Sequence, residues 1–366
     1  MQFALIYGGR SVEHDWSVAM YAHFAARINE TAKLRPLLTA VIYISPTGEL
    51  LLMSVDKRGA PSHREVLETQ ARPMLDALPQ IMKQLDVFLF SLLQGQDGED
   101  GQIQSIAQFF DIPGSFGSKN AAMLATDKYI QTKIVEATCS DLSPIPTVWV
   151  DPYRVGAFIP AISRAISSGP YVAKPNNLGG SFMTEPFDSL EEFDLHKYAL
   201  ALSDYDDRFV VQERIIGTEF TCGVLFENGK YRPLPVVQIN APSRFLGYKE
   251  KTSKGSYTVV FPEAGTALYD RICAASVSIA DLFDVHTFCR IDYIVDSHER
   301  IYFFELNVTP GLTAGSIFPK MLAKAGLDVL DLIAMAATNE SARRLRERNR
   351  KQRTGAFRYG TAHAPT

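Results

Sequence analysis

Hydrophobic and polar positions in the first third of the chain follow the pattern of an α/β domain. An apolar run over residues 3–7 predicts a buried strand, Gly8 and Gly9 predict the turn after it, and helical spacing predicts a helix over residues 17–28. The same reasoning predicts two further strands and a helix, at residues 38–44, 87–92 and 101–110. Strand, glycine turn and helix in this order indicate an α/β domain over residues 1–117.

After residue 118 the pattern becomes that of an α+β protein. One long helix is predicted over residues 120–137. Strands and helices then alternate, at residues 147–150, 157–166, 171–174, 190–202 and 209–213. We interpret residues 118–213 as a second domain, of a common size for a domain.

The rest of the chain is rich in predicted strands. These strands and one long helix fall at residues 219–226, 234–239, 258–261, 265–283, 289–295 and 301–306. The last two strands flank a polar break and therefore predict a β-hairpin. We expect a third domain over residues 214–340 and a basic tail over residues 341–366.

Composition excludes several classes of protein. Hydrophobic residues make up 46% of the 366 residues and charged residues 21%, as in ordinary globular proteins. No apolar run reaches the length of a membrane span, and no basic secretion signal precedes the first strand, so a cytoplasmic protein with no membrane partner is expected. The net charge of −4 argues against a nucleic-acid partner. Basic residues of the tail, between Arg343 and Arg358, favour a solvated helix end over a nucleic-acid or membrane contact.

The predicted hairpin carries the most informative polar residues. Asp292 lies on its first strand, and Glu305 and Asn307 lie two apart on its second, hence on one face. Mg²⁺ prefers such oxygen ligands together with substrate phosphates, and Arg290 stands beside them. The pattern therefore favours a magnesium and polyphosphate site over a surface hairpin with incidental charges.

A nucleotide site of the common types is absent from the sequence. Neither G-x-x-x-x-G-K-[ST] nor a G-x-G-x-x-G after a strand occurs. The chain instead offers Lys128, and Lys174 at the end of a predicted strand, followed by the glycine-rich N-N-L-G-G-S-F. Backbone N–H groups of such a loop and a lysine countercharge suit phosphate oxygens. Each lysine alone would be read as a surface residue.

These motifs together resemble one known family, the D-alanine:D-alanine ligases of the ATP-grasp superfamily. The resemblance extends from about residue 3 to 335 and is carried by motifs in the same order, namely G-G-R-S-V-E-H-D-W-S, G-E-D-G-Q-I-Q, D-K, A-K-P-N-N-L-G-G-S, G-T-E-F-T, R-I-D, E-L-N-V-T-P-G and S-I-F-P-K. It implies three domains, with ATP clamped between the central and C-terminal ones. It also implies amino-acid substrates and a homodimer, since family members are often dimers.

The resemblance implies a role for residues at the nucleotide end. Lys128 and Lys174 would contact phosphates under Ser181, and two metal ions, Mg²⁺ or Mn²⁺, would be held by Asp292, Glu305 and Asn307. Adenine would lie beside the strand over residues 211–216, which includes Glu213 and Ile216, and Glu219 would bind the ribose hydroxyls. Phe304 would also contact the nucleotide, and a mobile loop over residues 245–257 would fold over it. Lys251 belongs to that loop, whose closure would keep water from the reaction.

At the substrate end the resemblance implies four further roles. Glu13 would bind the ammonium group of the first amino acid and Ser316 the carboxylate of the second. Arg290 would stabilise the tetrahedral oxyanion, next to Gly311. The implied reaction forms an acyl phosphate and ADP, and an amine then displaces the phosphate. Without the resemblance, Glu13 reads as a helix-start residue and Ser316 as an N-cap.

Several positions depart from the family pattern, and they cluster at the amino-acid end. Gly180 stands where the family has the first of two serines, Thr252 where it has a lid tyrosine, Gln94 where it has H-G, and Val308 where it has threonine. We therefore expect an ADP-forming carboxylate–amine ligase with altered substrates, such as a specialised dipeptide ligase. The alternatives are a genuine D-alanine:D-alanine ligase of cell-wall synthesis and a non-catalytic ATP-binding sensor or scaffold.

Overall fold

Three β-sheets follow one another along the chain in the computed structural model of the protein. The structure describes residues 1–56, 59–167, 169–240 and 257–360. The predicted mobile loop, with Lys251 and Thr252, therefore lies almost wholly outside the described residues. No helix in the described part of the chain is long and apolar enough to cross a membrane.

The first sheet contains five strands, in the order β4-β3-β2-β1-β5. Its strands are β1 (Phe3–Gly8), β2 (Leu38–Ile44), β3 (Glu49–Ser54), β4 (Ala71–Pro73) and β5 (Phe88–Ser91). The helices are α1 (His14–Glu30), α2 (His63–Leu67), α3 (Met74–Leu85) and α4 (Gln102–Phe109), with a 3₁₀ turn at Arg35–Leu37. β1 is parallel to β2 and β5, which confirms the predicted βα opening. Glycine is required at position 8, the last residue of β1, because a Cβ there would lie 2.1 Å from the Ile44 carbonyl oxygen.

The predicted long helix over residues 120–137 is wrong in one respect. The chain breaks it into α5 (Lys119–Thr126) and α6 (Lys128–Thr138). Asp127 leaves the helical conformation at ψ 102° and its side chain accepts a hydrogen bond from the backbone N–H of Ile130 at 2.8 Å. Asp127 is thus the N-cap of α6. This break places Lys128 at the first position of α6.

The second sheet is antiparallel, in the order β6-β9-β7-β8. It consists of β6 (Thr147–Val150), β7 (Tyr171–Pro175), β8 (Glu185–Phe187) and β9 (Phe209–Glu213), with the helices α7 (Val155–Ala165) and α8 (Leu195–Leu202). The helix predicted from residue 190 begins only at Leu195, because Asp194 caps it by accepting from the backbone N–H of Lys197. The strand expected over residues 211–216 ends at Glu213.

The third sheet is antiparallel and contains the predicted hairpin. Its strands are β10 (Thr218–Glu227), β11 (Lys230–Pro233), β12 (Val237–Asn240), β13 (Thr258–Val260), β14 (Phe288–Val295) and β15 (Ile301–Asn307). Its helices are α9 (Ala267–Leu282), α10 (Ile317–Lys324) and α11 (Asp331–Gly360). The strand predicted at residues 234–239 begins three residues later, at Val237. Pairing of β14 with β15 confirms the hairpin.

Packing between the sheets fixes where a site can form. Buried side chains of β1 and α1 share one hydrophobic core with Phe288 of β14 and with α10. Helices α5 and α6 pack on the other side of the third sheet, in the core that includes Leu306. The first sheet is thus joined to the third through buried apolar contacts, and the loops at its edge lie against β14 and β15. The limits of the three domains stay a prediction.

Candidate active site

A cavity of about 210 Å³ lies where segments of all three sheets meet. Many of the residues singled out from the sequence line it, although they are far apart in the chain. These are Glu13, Lys128, Glu219, Arg290, Asp292, Phe304, Glu305, Asn307, Gly311 and Ser316. The structure therefore brings the acidic pair, the arginine, one lysine and both substrate-end residues to one place.

Strand register puts the polar side chains of the hairpin on one face. Arg290 pairs with Asn307 and Asp292 with Glu305 across β14 and β15. The register then shifts between Asp292 and Tyr293, so that Phe304 is an extra residue on β15. Such a bulge turns two successive side chains toward the same side. Phe304 and Glu305 consequently both line the cavity.

Asp292 is the most heavily bonded carboxylate of the site. Arg290 donates to both of its oxygens, Nε to Oδ1 and Nη2 to Oδ2, each at 2.8 Å. Thr221 donates to Oδ1 at 2.6 Å, and the Asn307 amide donates to Oδ2 at 3.3 Å. Burial alone would lower the pKa of Arg290, but the charges of Asp292, Glu305 and Glu99 raise it overall. The guanidinium is therefore fixed in place and permanently charged.

Both predicted phosphate lysines are buried beside Phe304 and Glu305. Lys128 is 7% exposed, donates to the Leu178 carbonyl oxygen at 2.6 Å, and its Nζ lies 3.5 Å from Glu305 Oε1. Lys174 is 3% exposed and its Nζ lies 4.2 Å from the centre of the Phe304 ring. Lys128 lines the cavity, and so does Phe304, against which Lys174 lies. Two buried ammonium groups near one cavity suit a polyanionic ligand.

The carboxylate of Glu13 lies close to the backbone of three glycines, Gly95, Gly179 and Gly180. A Cβ on Gly179 would lie 2.4 Å from Glu13 Oε2, one on Gly95 would lie 2.7 Å from the same oxygen, and one on Gly180 would lie 3.4 Å from Oε1. Glycine is thus required at 95 and 179 for the carboxylate to sit where it does. Glu13 is the N-cap residue of α1, yet its side chain makes no capping hydrogen bond. This position favours a ligand-binding role over the helix-start role.

Ser316 and Gly311 lie next to each other, and both line the cavity. Ser316 is the N-cap of α10 but its hydroxyl makes no capping hydrogen bond. The hydroxyl instead pairs with the Thr313 hydroxyl at 2.7 Å. A Cβ on Gly311 would lie 3.1 Å from Ser316 Oγ, so the backbone of the loop passes close to this hydroxyl.

Five predicted site residues are not among those that line this cavity, and one of them is Lys174. Ser181 has a left-handed φ of 58° in the turn after Gly180. Glu213 ends β9 and donates its backbone N–H to the Pro146 carbonyl oxygen, and Ile216 is 54% exposed in the connection that follows. Lys251 lies outside the described residues. Nucleotide roles for these residues stay a prediction.

Trp16 and Glu99 are among the cavity residues that had no role in the sequence interpretation. Trp16, three residues after Glu13 on α1, contributes the largest apolar side chain. Glu99, from the quoted G-E-D-G-Q-I-Q motif, accepts from the backbone N–H groups of Gly95 at 2.7 Å and Thr309 at 3.1 Å. The position of Glu99, two residues before the predicted helix, is a signal in the sequence for a carboxylate that binds loop backbone N–H groups. The proximity of Glu99 to other acidic side chains has no signal in the sequence.

Burial, with the charges of the neighbouring Glu13 and Glu305, raises the pKa of the Glu99 carboxyl from 4.5 to about 8, although the two backbone donors act to lower it. Glu99 therefore keeps its proton near neutral pH in the folded, ligand-free protein. Positive charge brought into the cavity would favour its ionised form.

We expect the stability of the ligand-free protein to fall as the pH rises from 4.5 toward 8. In this window the unfolded chain has an ionised Glu99 while the folded protein keeps the proton, so rising pH favours unfolding. At about 1.4 kcal/mol per pKa unit, the expected fall is on the order of 5 kcal/mol. Urea unfolding at several pH values would measure it, against the variant Glu99→Gln as control. Parallel pH profiles for both proteins would contradict the prediction.

Comparison with known proteins gives a consistent result. Residues 2–115 match the family model described as D-ala D-ala ligase N-terminus, and residues 161–336 match the one described as D-ala D-ala ligase C-terminus. The chain is 28% identical, over 290 residues, to a D-alanine–D-alanine ligase of Coprothermobacter proteolyticus, covering 78% of this chain and 92% of that protein.

Solved structures show the same fold. The VanG D-Ala:D-Ser ligase of Enterococcus faecalis has a TM-score of 0.73 at 23% identity, covering 93% of this chain and 99% of its own. The D-alanine–D-alanine ligase of Bacillus anthracis, solved in complex with ATP, has a TM-score of 0.69 at 22% identity, covering 95% of this chain and 99% of its own. Similarity at this level of identity establishes the three-sheet ATP-grasp architecture.

Proposed function

Because the chain belongs to the D-alanine–D-alanine ligase family of ATP-dependent ligases, we propose that it joins two amino acids in an ADP-forming reaction through an acyl phosphate. The observation that carries this proposal is the meeting of Lys128, Arg290, Asp292 and Glu305 in one cavity with Glu13. A nucleotide binder without turnover has no need of a buried guanidinium in the same cavity as Glu13. The proposal includes three domains, with ATP between the second and third.

ATP would lie with its phosphates toward Lys128 and Lys174. Both ammonium groups are buried, and Phe304, beneath Lys174, offers a flat apolar surface near them. Glu219 lines the cavity on the adjacent β10 and is our candidate for the ribose hydroxyls. The proposed adenine contacts are the backbone at Glu213 and the side chain of Ile216, with Ser181 over the phosphates and Lys251 in the closing loop.

The donor set of the hairpin fits magnesium only in combination with phosphate oxygens. No three His, Cys, Asp or Glu side chains within the described residues are grouped so as to hold a metal ion. Asp292 accepts four hydrogen bonds from Arg290, Thr221 and Asn307, which occupies the acceptor capacity of a carboxylate. The 3.3 Å bond from Asn307 is the weakest of these. We propose that Asn307 turns its oxygen to the ion, alongside Asp292 and Glu305.

The first chemical step would form the acyl phosphate. An oxygen of the first substrate's carboxylate attacks the γ-phosphorus, the bond to the bridging oxygen breaks, and ADP leaves with that electron pair. Lys128 and Lys174 hold the phosphates in line and balance their charge. Mg²⁺, when bound, neutralises β- and γ-oxygens. Glu13 would hold the ammonium group of the same substrate.

The second step would form the peptide bond. The amine of the second substrate attacks the acyl carbonyl carbon, a tetrahedral oxyanion forms, and inorganic phosphate leaves as the carbonyl is restored. Arg290 and the backbone N–H of Gly311 are our candidates to stabilise the oxyanion, since both residues line the cavity. Ser316 would donate to the carboxylate of the second substrate. The preformed Arg290–Asp292 pair keeps the guanidinium oriented before the charge develops.

Altered specificity is supported by the surroundings of Glu13. A serine at position 180 would place its Cβ 3.4 Å from Glu13 Oε1, so its hydroxyl would be within reach of this carboxylate. Gly180 supplies no such donor. Gln94 is another of the positions that depart from the family pattern. Its side chain is buried, and its amide N–H donates to the Thr309 carbonyl oxygen at 2.9 Å. A site that lacks hydrogen bonds expected by one substrate discriminates against it.

We expect that D-alanine as sole substrate supports turnover at least about tenfold slower than a preferred pair of amino acids. Coupled ADP release, measured across D- and L-amino acids singly and in pairs, would test this. Product analysis by mass spectrometry would show whether a dipeptide forms. Rapid turnover with D-alanine alone would contradict altered specificity and favour the second candidate, a D-alanine–D-alanine ligase of cell-wall synthesis, which the family match supports.

A further inference from the structure

The 309–312 loop, residues Thr309 to Leu312, lies between β15 and α10, and its first three residues line the candidate active site. Pro310 has no backbone N–H, and the N–H groups of Thr309 and Leu312 are both bonded to side chains. The Gly311 N–H forms no hydrogen bond with any other described residue. It is therefore the backbone donor that this loop offers to a ligand.

The first residue of the loop is held at both of its backbone polar groups. Glu99 Oε1 accepts from the Thr309 N–H at 3.1 Å, and the Gln94 amide donates to the Thr309 carbonyl oxygen at 2.9 Å. Both side chains belong to the segment after β5, in the first part of the chain. The start of the loop is thus fixed by a part of the protein that is distant in sequence.

The last residue of the loop is held in the same way, by helix α1. Met20 Sδ accepts from the Leu312 N–H at 3.0 Å, and His23 Nδ1 donates to the Leu312 carbonyl oxygen at 2.7 Å. The carbonyl oxygen can only accept, so His23 carries a proton on Nδ1. Met20 and Leu312 are both fully buried. These two bonds are therefore part of the contact between α1 and the loop.

One face of α1 makes all of its contacts with the site and with this loop. Five residues three or four apart lie on that face, from the N-cap to the last turn, namely Glu13, Trp16, Met20, His23 and Arg27. The first two line the cavity, and the last donates to Asp328 in the turn before α11 at 2.8 Å. The helix is thus attached on both sides of the 309–312 loop.

The Gly311 N–H belongs to the peptide unit that joins Pro310 to Gly311. The unit before it is fixed by Gln94, which bonds the Thr309 carbonyl, and the unit after it is fixed by Met20. Because a peptide unit is planar, fixing both neighbouring units restricts the direction of the N–H between them. A donor that is held in advance stabilises a developing oxyanion without reorganisation when the charge forms.

We propose that Met20 and His23 are positioning residues for peptide-bond formation, which hold Leu312 so that the Gly311 N–H is directed at the oxyanion. Neither residue lines the cavity, so each acts through the loop and not on a substrate. The inference rests on the proposed function for the role of the Gly311 N–H. The hold of α1 on the loop belongs to the folded chain without any ligand and can be tested by itself.

Amide hydrogen exchange in the full-length, ligand-free protein tests the hold on the loop. His23→Ala removes the donor to Leu312, and we expect residues 308–316 to exchange at least about fivefold faster than in the wild type. His23→Asn should exchange at the wild-type rate, because its amide nitrogen lies as many bonds from Cα as the imidazole Nδ1. Met20→Leu keeps the size of the buried side chain and should have a smaller effect, since sulfur is a weak acceptor.

His196→Ala is the matched control, because His196 is exposed on α8 and does not line the cavity. Its exchange over residues 308–316 should equal that of the wild type. Wild-type exchange in His23→Ala would overturn the hold of α1 on the loop.

The effect on catalysis appears when the two chemical steps are measured separately, with D-alanine as the probe substrate. Scrambling of an oxygen label between the β–γ bridge and the other β-phosphate oxygens of ATP reports the reversible first step, and ADP release reports completed turnover. We expect His23→Ala to lower ADP release at least about tenfold while label scrambling is no slower than in the wild type, because a misplaced donor affects only the oxyanion of the second step. His23→Asn should restore ADP release to within about twofold of wild type.

A purely structural role of His23 gives a different result. If His23→Ala slowed both steps equally, or left ADP release unchanged, the positioning role would be overturned. If the wild type scrambled no label with any amino acid, the proposed ligase reaction would be wrong, whereas hydrogen exchange would still decide whether α1 holds the loop. Failure of the proposed function and failure of this inference are therefore distinguishable.

Discussion

Arg290→Ala is expected to lower turnover by about a hundred- to a thousandfold, the usual effect of removing a preorganised charge from a developing oxyanion. ATP affinity is expected to change much less, because the buried ammonium groups of Lys128 and Lys174 remain. Coupled ADP release would give kcat and KM, and fluorescence titration with an ATP analogue would give affinity. A drop in kcat without a matching drop in affinity identifies a group that acts in the transition state.

Two control variants make this result interpretable. Arg290→Lys keeps the positive charge beside Asp292 but loses the bidentate contact, so we expect it to fold normally and still lose most of its activity. Arg300→Ala removes an exposed arginine of the same hairpin that pairs with Asp296, and turnover should remain within about twofold of wild type. An equal loss of ATP affinity and turnover in Arg290→Ala would indicate nucleotide binding alone.

Glu305→Gln is expected to lower turnover at least about a hundredfold at fixed Mg²⁺, with partial recovery at higher Mg²⁺. The substitution keeps the size of the side chain and one oxygen, but it removes the charge that lies 3.5 Å from Lys128 Nζ and faces the cavity. Because hard cations prefer ionised oxygen ligands, the loss should appear mainly as a requirement for higher Mg²⁺ concentrations. Turnover measured over a range of Mg²⁺ concentrations, after treatment with a chelator, provides the measurement.

Glu299→Gln is the matched control, since Glu299 is exposed in the turn of the same hairpin and does not line the cavity. Its Mg²⁺ dependence should equal that of the wild type. If Glu305→Gln and the wild type showed the same dependence on Mg²⁺, the proposed metal role of this hairpin would be wrong. Activity that survives the chelator in the wild type would contradict it as well.

Much of the local structure could be predicted from the sequence. The two-residue period of β14 and β15 places Arg290 and Asp292 on one face, and pairing across the hairpin confirms it. The βα opening was likewise predicted from an apolar run, two glycines and helical spacing. Both features depend on neighbouring residues only, because backbone geometry fixes the period of side-chain directions.

Other local features were not predicted although their signals are local. Asp127 interrupts a continuous helical pattern, so the pattern alone does not show that it caps a new helix. The new helix begins at Lys128, which lines the cavity. The bulge that brings Phe304 beside Glu305 is a register shift, and register depends on the partner strand. The apolar pattern of β15 is compatible with either register.

The family, the positions of most main strands along the chain and the residues of the hairpin that share a face all follow from the amino-acid sequence. The contact of Glu13 with Gly179, the 3.5 Å approach of Lys128 to Glu305 and the raised pKa of Glu99 follow only from the folded arrangement. Distances between residues so far apart in the chain depend on how apolar faces pack between the sheets. The spacing of apolar residues along a helix or strand sets which of its faces is apolar. The joint burial of the apolar faces of all helices and sheets sets which loops meet at the cavity.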